Sequence, residues 1–316
     1  MLLPFGAVLL LLRSWDSSRR GLIASSLSTT KKNNIPDDKF PDSETAYHIG
    51  ENIRKKIADK LLQVQEDHGV IVLYACESGS RAWGFPSASS DYDVRFLYVH
   101  PPSWYLSIEQ KRDVIELPVD DDKIDMSGWD LRKALQLFRK SNPSLLEWLG
   151  SPIVYVEAKH RAAQWMRNHA PSTYSPISCM YHYYSMAKGD YRSYFQHDQV
   201  RTKKYFYVLR ALLGVMWLDE NLGIVPTEFQ RLVDGTLGDG QLKTAIYKLV
   251  EEKRSGDELD EGPRIAVISD FIEEKLALFG QQGFKNKLIQ RASVEQLDEI
   301  FRATLDETYL TALTKK

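Results

Sequence analysis

Two cysteines in 316 residues, Cys76 and Cys179, are too few for a disulfide scaffold and supply no CxxC pair for zinc. A reducing compartment is the simpler setting. Long hydrophobic runs are lacking too: Val8-Leu-Leu-Leu-Leu12 is too short to span a bilayer, and no basic segment precedes it as in a secretory leader. Nor is there much net charge. With 41 Lys plus Arg against 43 Asp plus Glu, the formal charge of -2 gives no global attraction to polyanions. Any nucleic-acid or triphosphate site therefore needs locally gathered cations. No internal repeat of useful length is seen, and no transmembrane span.

What is present suffices for a large core and for two domains, with 43% apolar and 27% charged side chains. The first 45 or so residues stand apart. After the short apolar run come Arg13, Arg19, Arg20, Lys31 and Lys32 among serines, with Asp16 as the one acid before Asp37. That composition is leader-like, so residues 1–45 are read as a disordered or targeting segment. The chain is then cytoplasmic, or mitochondrial or plastid if the leader is a transit peptide. Asn33 to Asp42, with Pro36 and Pro41, reads as linker.

From Thr45 the pattern is that of a folded domain. Ile49, Ile53, Ile57, Leu61 and Leu62 form one face of a helix that Gly69 should end. Val70-Ile-Val-Leu-Tyr74 suits a strand covered on both faces. Gly79 and Ser80 then allow a tight turn whose amides can face a phosphate, followed by a short helix from Ser80 to about Trp83. The plainer alternative makes Gly79 and Gly84 turn residues only.

The segment Asp91-Tyr-Asp-Val-Arg-Phe-Leu-Tyr-Val99 reads as a second strand. Alternation puts Asp91 and Asp93 on one side of it, where two carboxylates repel unless a cation lies between them. Hard oxygen donors beside phosphates suit Mg²⁺. A third acid, Asp125, sits between Ile124 and Met126 in a short strand candidate over residues 123–126. Flanked so, it is poorly explained as surface. If that strand lies beside the Asp91/Asp93 strand, the three acids can hold metal and accept the proton of an attacking hydroxyl. The alternatives leave the Asp91/Asp93 pair capping a loop and Asp125 at a sheet edge. Ser127-Gly-Trp-Asp130 fits a capping box for a helix over Asp130 to Arg139, which gives Asp130 a local role.

These stretches resemble the DNA polymerase β-like nucleotidyltransferase superfamily, and within it a family of predicted nucleotidyltransferases associated with RNA repair. The superfamily pattern matches Leu73-Tyr-Ala, Gly79-Ser80, Asp91-Tyr-Asp93-Val94 and Ile124-Asp125-Met126. The narrower likeness rests on Glu77 to Phe96, Ile124 to Lys133 and Ser141 to Tyr155, and extends from about residue 46 onward. It implies an α+β fold: a small mixed-sheet core with flanking helices, followed by a helical C-terminal domain. It implies a triphosphate at the Gly79-Ser80 turn and two Mg²⁺ ions, or Mn²⁺, on Asp91, Asp93 and Asp125, the catalytic acids.

The second half reads as helical, with a domain boundary near Ala158 that separates a catalytic domain over 46–157 from a helical substrate-binding domain over 158–316. Asn142-Pro143 caps a short apolar helix through Leu149, and Pro152 to Val156 returns as a strand. In Val200 to Trp217, Lys203, Tyr207 and Arg210 recur at helical spacing, a stripe suited to lining a cleft or to bordering a core. Thr227-Glu-Phe-Gln230 fits another capping box, Arg254 to Gly262 a solvated loop, and His182 a core or border histidine.

The expectation is a metal-dependent transferase that moves a nucleoside monophosphate from a triphosphate such as ATP to an acceptor hydroxyl, an RNA end for preference, releasing pyrophosphate. Gly79, Ser80, Arg81, Lys203 and Lys204 are the nucleotide-binding candidates. A protein AMP-transferase and a noncatalytic nucleotide or RNA binder remain as alternatives.

Overall fold

The computed structural model describes residues 47–159, 161–256, 261–284 and 291–310. The leader expected over residues 1–45 lies outside these, as do residues 311–313 of the last helix that the sequence suggests over roughly Val294 to Leu313. Residues Asp42–Lys316 form one compact unit.

Helix α1 (Glu51–His68) buries Ile57, Leu61 and Val64 and ends at Gly69, whose φ of 61° admits the left-handed cap. Leu62, expected on the buried face, is exposed, because Leu61 and Val64 turn to the core instead. Strand β1 (Ile71–Glu77) is buried along almost its whole length, as its unbroken apolar run requires. Next come α2 (Gly79–Trp83), β2 (Tyr92–Val99), α3 (Pro102–Tyr105), β3 (Val114–Leu117) and β4 (Ile124–Asp130). Helices α4 (Leu131–Arg139) and α5 (Pro143–Leu149) lead to β5 (Val154–Glu157).

The five strands make one mixed sheet in the order β3-β4-β2-β1-β5, with β2 and β4 parallel and the other neighbours antiparallel. Its core face gathers Ala75, Val94, Phe96, Tyr98, Ile115 and Met126 with the apolar stripe of α1. After β5 the chain is mainly helical: α6 (Ala162–Thr173), α7 (Pro176–Tyr194), α8 (Thr202–Asp219), α9 (Phe229–Thr236), α10 (Gln241–Arg254), α11 (Ala266–Gln282) and α12 (Val294–Leu305). Two short strands, β6 (Gln199–Val200) and β7 (Gly262–Pro263), pair antiparallel beside them. The architecture is the expected α+β one, a mixed sheet with flanking helices and a helical C-terminal half. Among the described residues no helix is long and apolar enough to cross a membrane.

Several local expectations are corrected. Ser127 to Asp130 is not a capping box: the stretch continues β4, because Ser127 and Gly128 pair with Arg95 and Phe96 of β2. A Cβ on Gly128 would stand 2.1 Å from the Phe96 ring, so the ring covers the glycine and lets the strand run on. Asp130 alone caps α4, accepting from the Arg132 amide at 2.8 Å. The second capping box fails as well. Helix α9 begins at Phe229 with no side-chain cap, and Thr227 is buried, its hydroxyl donating to the Glu147 carbonyl at 3.1 Å. Of the solvated loop expected over Arg254 to Gly262, Ser255, Gly256 and Glu261 are exposed, while half-buried Arg254 ends α10, Gly262 begins β7 and residues 257–260 lie outside the described residues. His182 is half-buried and burial lowers its pKa, in keeping with a border position.

Candidate active site

Parallel pairing of β2 with β4 sets Asp93 directly opposite Asp125. Because side chains alternate, Asp93 and Arg95 share a side of β2, and Asp125 shares a side of β4 with Ser127. The two carboxylates therefore meet one cation already present. Arg95 Nη2 donates to Asp93 Oδ1 at 3.0 Å and to Asp125 Oδ2 at 2.7 Å, while Nη1 donates to the Val94 and Asp125 carbonyls, each at 3.2 Å.

Asp93 is the better buried of the two acids. Burial raises its pKa, Asp125 and Asp91 add to the rise, and Arg95 and Lys203 oppose it. Its backbone is held on both sides: its amide donates to Glu77 Oε1 at 2.8 Å and its carbonyl accepts from the Ser78 amide at 2.8 Å. Glu77 is wholly buried, and its other oxygen accepts from the Tyr155 hydroxyl. Burial pushes its pKa up to about 7 against these donors. A carboxylate closing an otherwise apolar strand was the signal for this buried support.

The turn from β1 to α2 closes tightly against Asp93. Gly79 has φ of 59°, and a Cβ there would lie 2.0 Å from Asp93 Oδ2. Glycine is thus required twice, for the left-handed backbone and for the contact. The Gly-Ser turn and the acid pair are in this way one unit.

They line a small solvent-open cavity of about 140 Å³. Gly79, Ser80, Asp91 and Asp93 form one wall, with Ser89 and Ser90 beside them. Trp83, Phe85, Phe206 and Tyr207 give an aromatic side, and Lys203 and Lys253 bring the cations. Of the expected nucleotide-binding residues, Gly79, Ser80 and Lys203 reach the cavity. Arg81 and Lys204 do not line it. Arg81 stacks on Tyr92 at 3.9 Å and donates to the Ser90 and Asp91 carbonyls at 2.8 and 3.1 Å, which ties the loop before β2 to α2. Lys204 stands over the Tyr194 ring at 3.8 Å. Asp125 does not line the cavity either but lies at its edge, through Arg95 and Asp93.

A buried ion pair joins the sheet region to the helices. Glu147 of α5 accepts from Trp83 Nε1 at 2.7 Å, and its other oxygen accepts from Arg210 Nη2 at 2.8 Å. Arg210, read from spacing as bordering a core or a cleft, is buried in α8 and donates on to the Thr227 and Pro226 carbonyls at 2.9 and 3.3 Å. The pair holds Trp83 against Tyr207, their rings 5.9 Å apart and edge-on. Glu147 was visible as the one acid in an apolar helix. Lys253 carried no local signal, since a basic last turn is ordinary for a helix.

The donor set fits a hard cation. Arg95 shows that one positive group can bridge Asp93 and Asp125, and both offer carboxylate oxygen. Among the described residues no group of three or more His, Cys, Asp or Glu is gathered to hold a metal ion by itself. Any such ion therefore needs oxygens from a bound substrate to complete its ligands.

A family model described as the RNA repair pathway DNA polymerase beta family matches residues 53–303. The uncharacterized protein YcgL of Bacillus subtilis (strain 168) is 44% identical over 257 residues, which cover 81% of this chain and 98% of that protein. A solved nucleotidyltransferase-like protein from Exiguobacterium sibiricum 255-15 overlaps 81% of this chain and 91% of its own at 8% identity, with a TM-score of only 0.27. From the extent of the family match, the chain belongs to the RNA repair pathway DNA polymerase beta family, within the DNA polymerase β-like nucleotidyltransferase superfamily.

Proposed function

We propose that this protein transfers a nucleoside monophosphate from a nucleoside triphosphate to an acceptor hydroxyl at an RNA end. The observation that carries the reading is the opposition of Asp93 and Asp125 on parallel strands, against a Gly79 turn that only glycine can make. RNA as acceptor draws on the family's description.

The residues take distinct parts. Gly79 and Ser80 line the phosphate end of the cavity, where backbone amides and the Ser80 hydroxyl can donate to phosphate oxygens. Lys203 adds positive charge. The aromatic side offers rings on which a base can stack. The acceptor oxygen attacks the α-phosphorus, the bond from that phosphorus to the β-phosphate breaks, and pyrophosphate carries the electron pair away. Asp125, opposite Asp93 at the edge of the cavity, takes the hydroxyl proton. Asp93 and Asp125, with Asp91 beside them, would hold Mg²⁺ or Mn²⁺ together with substrate phosphates. Such ions, two in number for the superfamily chemistry, supply charge neutralisation and a more acidic acceptor hydroxyl when bound. They compete for the oxygens that Arg95 Nη2 now holds.

That competition favours one other reading. An arginine already neutralising the acid pair suits a noncatalytic nucleotide binder that needs no metal. The test follows radiolabel from each of the four ribonucleoside triphosphates, with Mg²⁺ and a mixed pool of RNA and protein acceptors, for the wild type and Asp93→Asn. Label entering RNA with the wild type alone is expected. Label entering protein instead would make the activity AMP transfer or its relative, and triphosphate binding without any transfer would leave the binder.

A further inference from the structure

We infer that Lys253, in the last turn of α10, forms with Lys203 a two-helix clamp that selects a triphosphate over shorter phosphate chains. The inference rests on the nucleotide reading above and deepens it.

The charged side chains lining the cavity are Asp91, Asp93, Lys203 and Lys253. A triphosphate placed beside two carboxylates needs cations on its far side as well as at the acids, because the like charges otherwise repel. Arg81 and Lys204, the other cations expected to bind nucleotide, are turned to loop carbonyls and to an aromatic ring, and Arg95 is held by Asp93 and Asp125. The two lysines of the lining are therefore the protein's means of matching added phosphate charge.

Lys253 is placed with care. Its Nζ donates to Ser87 Oγ at 3.0 Å, and that hydroxyl lies 3.0 Å from the Ser90 hydroxyl, whose residue lines the cavity. The next residue, Arg254, donates to the Gly84 carbonyl, just past α2. Ile246, Leu249 and Val250, on the same face of α10 as Lys253, are buried. The helix end is thus pinned to the loop that follows the Gly-Ser turn. Basic residues in a last turn also offset the helix dipole, but that role does not require the ammonium to line the cavity. Lys203 has no such local excuse: it lies in the first turn of α8, where the dipole disfavours a cation.

A charge-assisted contact to phosphate responds to the number of phosphates present, whereas a strut holding the loop does not. The experiment is isothermal titration calorimetry with Mg²⁺ and the α,β-methylene analogues of the four ribonucleoside triphosphates, then the di- and monophosphates of the nucleoside that binds best. The proteins are the wild type, Lys253→Met, Lys203→Met and the pair. Lys253→Met is expected to weaken the triphosphate about 10- to 100-fold and to leave the monophosphate within about twofold, so the preference for a triphosphate shrinks. Lys253→Gln, which keeps a hydrogen bond to Ser87 without the charge, should behave likewise. Equal weakening of all three nucleotides, no weakening of any, or rescue by Lys253→Gln overturns the clamp while the nucleotide reading stands. A wild type that binds none of the four triphosphates overturns both.

Discussion

The acidic wall of the cavity is made by close neighbours, Asp91 and Asp93 two residues apart, with Asp125 opposite on the next strand at the cavity's edge, whereas the basic wall takes Lys203 from α8 and Lys253 from α10. Hydrogen bonds between adjacent strands position the acids, so their geometry follows from the strands themselves. The lysines depend on where two helices pack, and a shift of either helix would move its ammonium. The first wall is therefore local and stiff, and the second is assembled at a distance. The Glu147–Arg210 pair is what links the second to the first, through Trp83.

Breaking that link should have the largest effect on stability. Glu147→Ala leaves the Arg210 guanidinium buried without its carboxylate and should cost about 3–5 kcal/mol in urea unfolding. A Glu147→Leu/Arg210→Met double variant should recover most of the loss, since no charge is left buried alone. If nucleotide binding in the double variant stays weak while its stability returns, the pair is a positioning device for the basic wall. Return of both would make it a stability feature only.

A smaller blow aims at the acidic wall. Gly79→Ala forces a left-handed alanine and a Cβ into Asp93, and should lower stability by about 1–3 kcal/mol. Triphosphate affinity should fall with it, because the turn must open away from Asp93. Unchanged calorimetric binding with a stable fold would show that the turn and the acid are not one unit.

The smallest effect separates two acids on one strand. Asp125 faces the site at the start of β4, while Asp130 at its end is sealed under Tyr105, whose hydroxyl donates to Asp130 Oδ2 at 2.6 Å. Burial pushes the Asp130 pKa up to about 6 from the usual 3.8. Between those values the folded state holds a proton that the unfolded chain has lost, so this acid's contribution to stability falls as pH rises from about 4 to about 6. His100 has the opposite sign: burial lowers its pKa to about 4, so its contribution rises with pH between about 4 and the usual 6.5. Asp130→Asn keeps an N-cap and removes the first titration. Subtracting its urea-derived stability from that of the wild type across pH 4–7 should isolate a falling curve. A flat difference would mean that the buried end of β4 does not bind a proton on folding.

Much of the acidic wall was legible because strand chemistry repeats every two residues. Asp93 and Asp125 each stand among apolar neighbours, and that contrast marked them. Arg95 was harder to read. Its position two residues beyond Asp93 showed which side it shares, but only pairing with β4 brought Asp125 to the same nitrogen. The extra length of β4 was hidden for a related reason: Ser127 and Gly128 look like a turn until a parallel neighbour and the Phe96 ring cover them. Thr227 shows the reverse error. It has the chemistry of a cap, yet its hydroxyl is used by Glu147, a partner 80 residues away.

By itself the sequence determined the order of strands and helices in the core, the glycine turn and the acids that follow it. Those features depend on short-range rules: alternation, capping and the conformations that glycine alone tolerates. Tertiary structure alone decided which cations face the acids. Arg81, Lys203, Lys204, Arg210, Lys253 and Arg254 are chemically similar along the chain, and packing distributes them among loop carbonyls, aromatic rings, a buried carboxylate and the cavity. A long, flexible cationic side chain takes its role from what surrounds its tip, and those surroundings come from segments far apart in sequence.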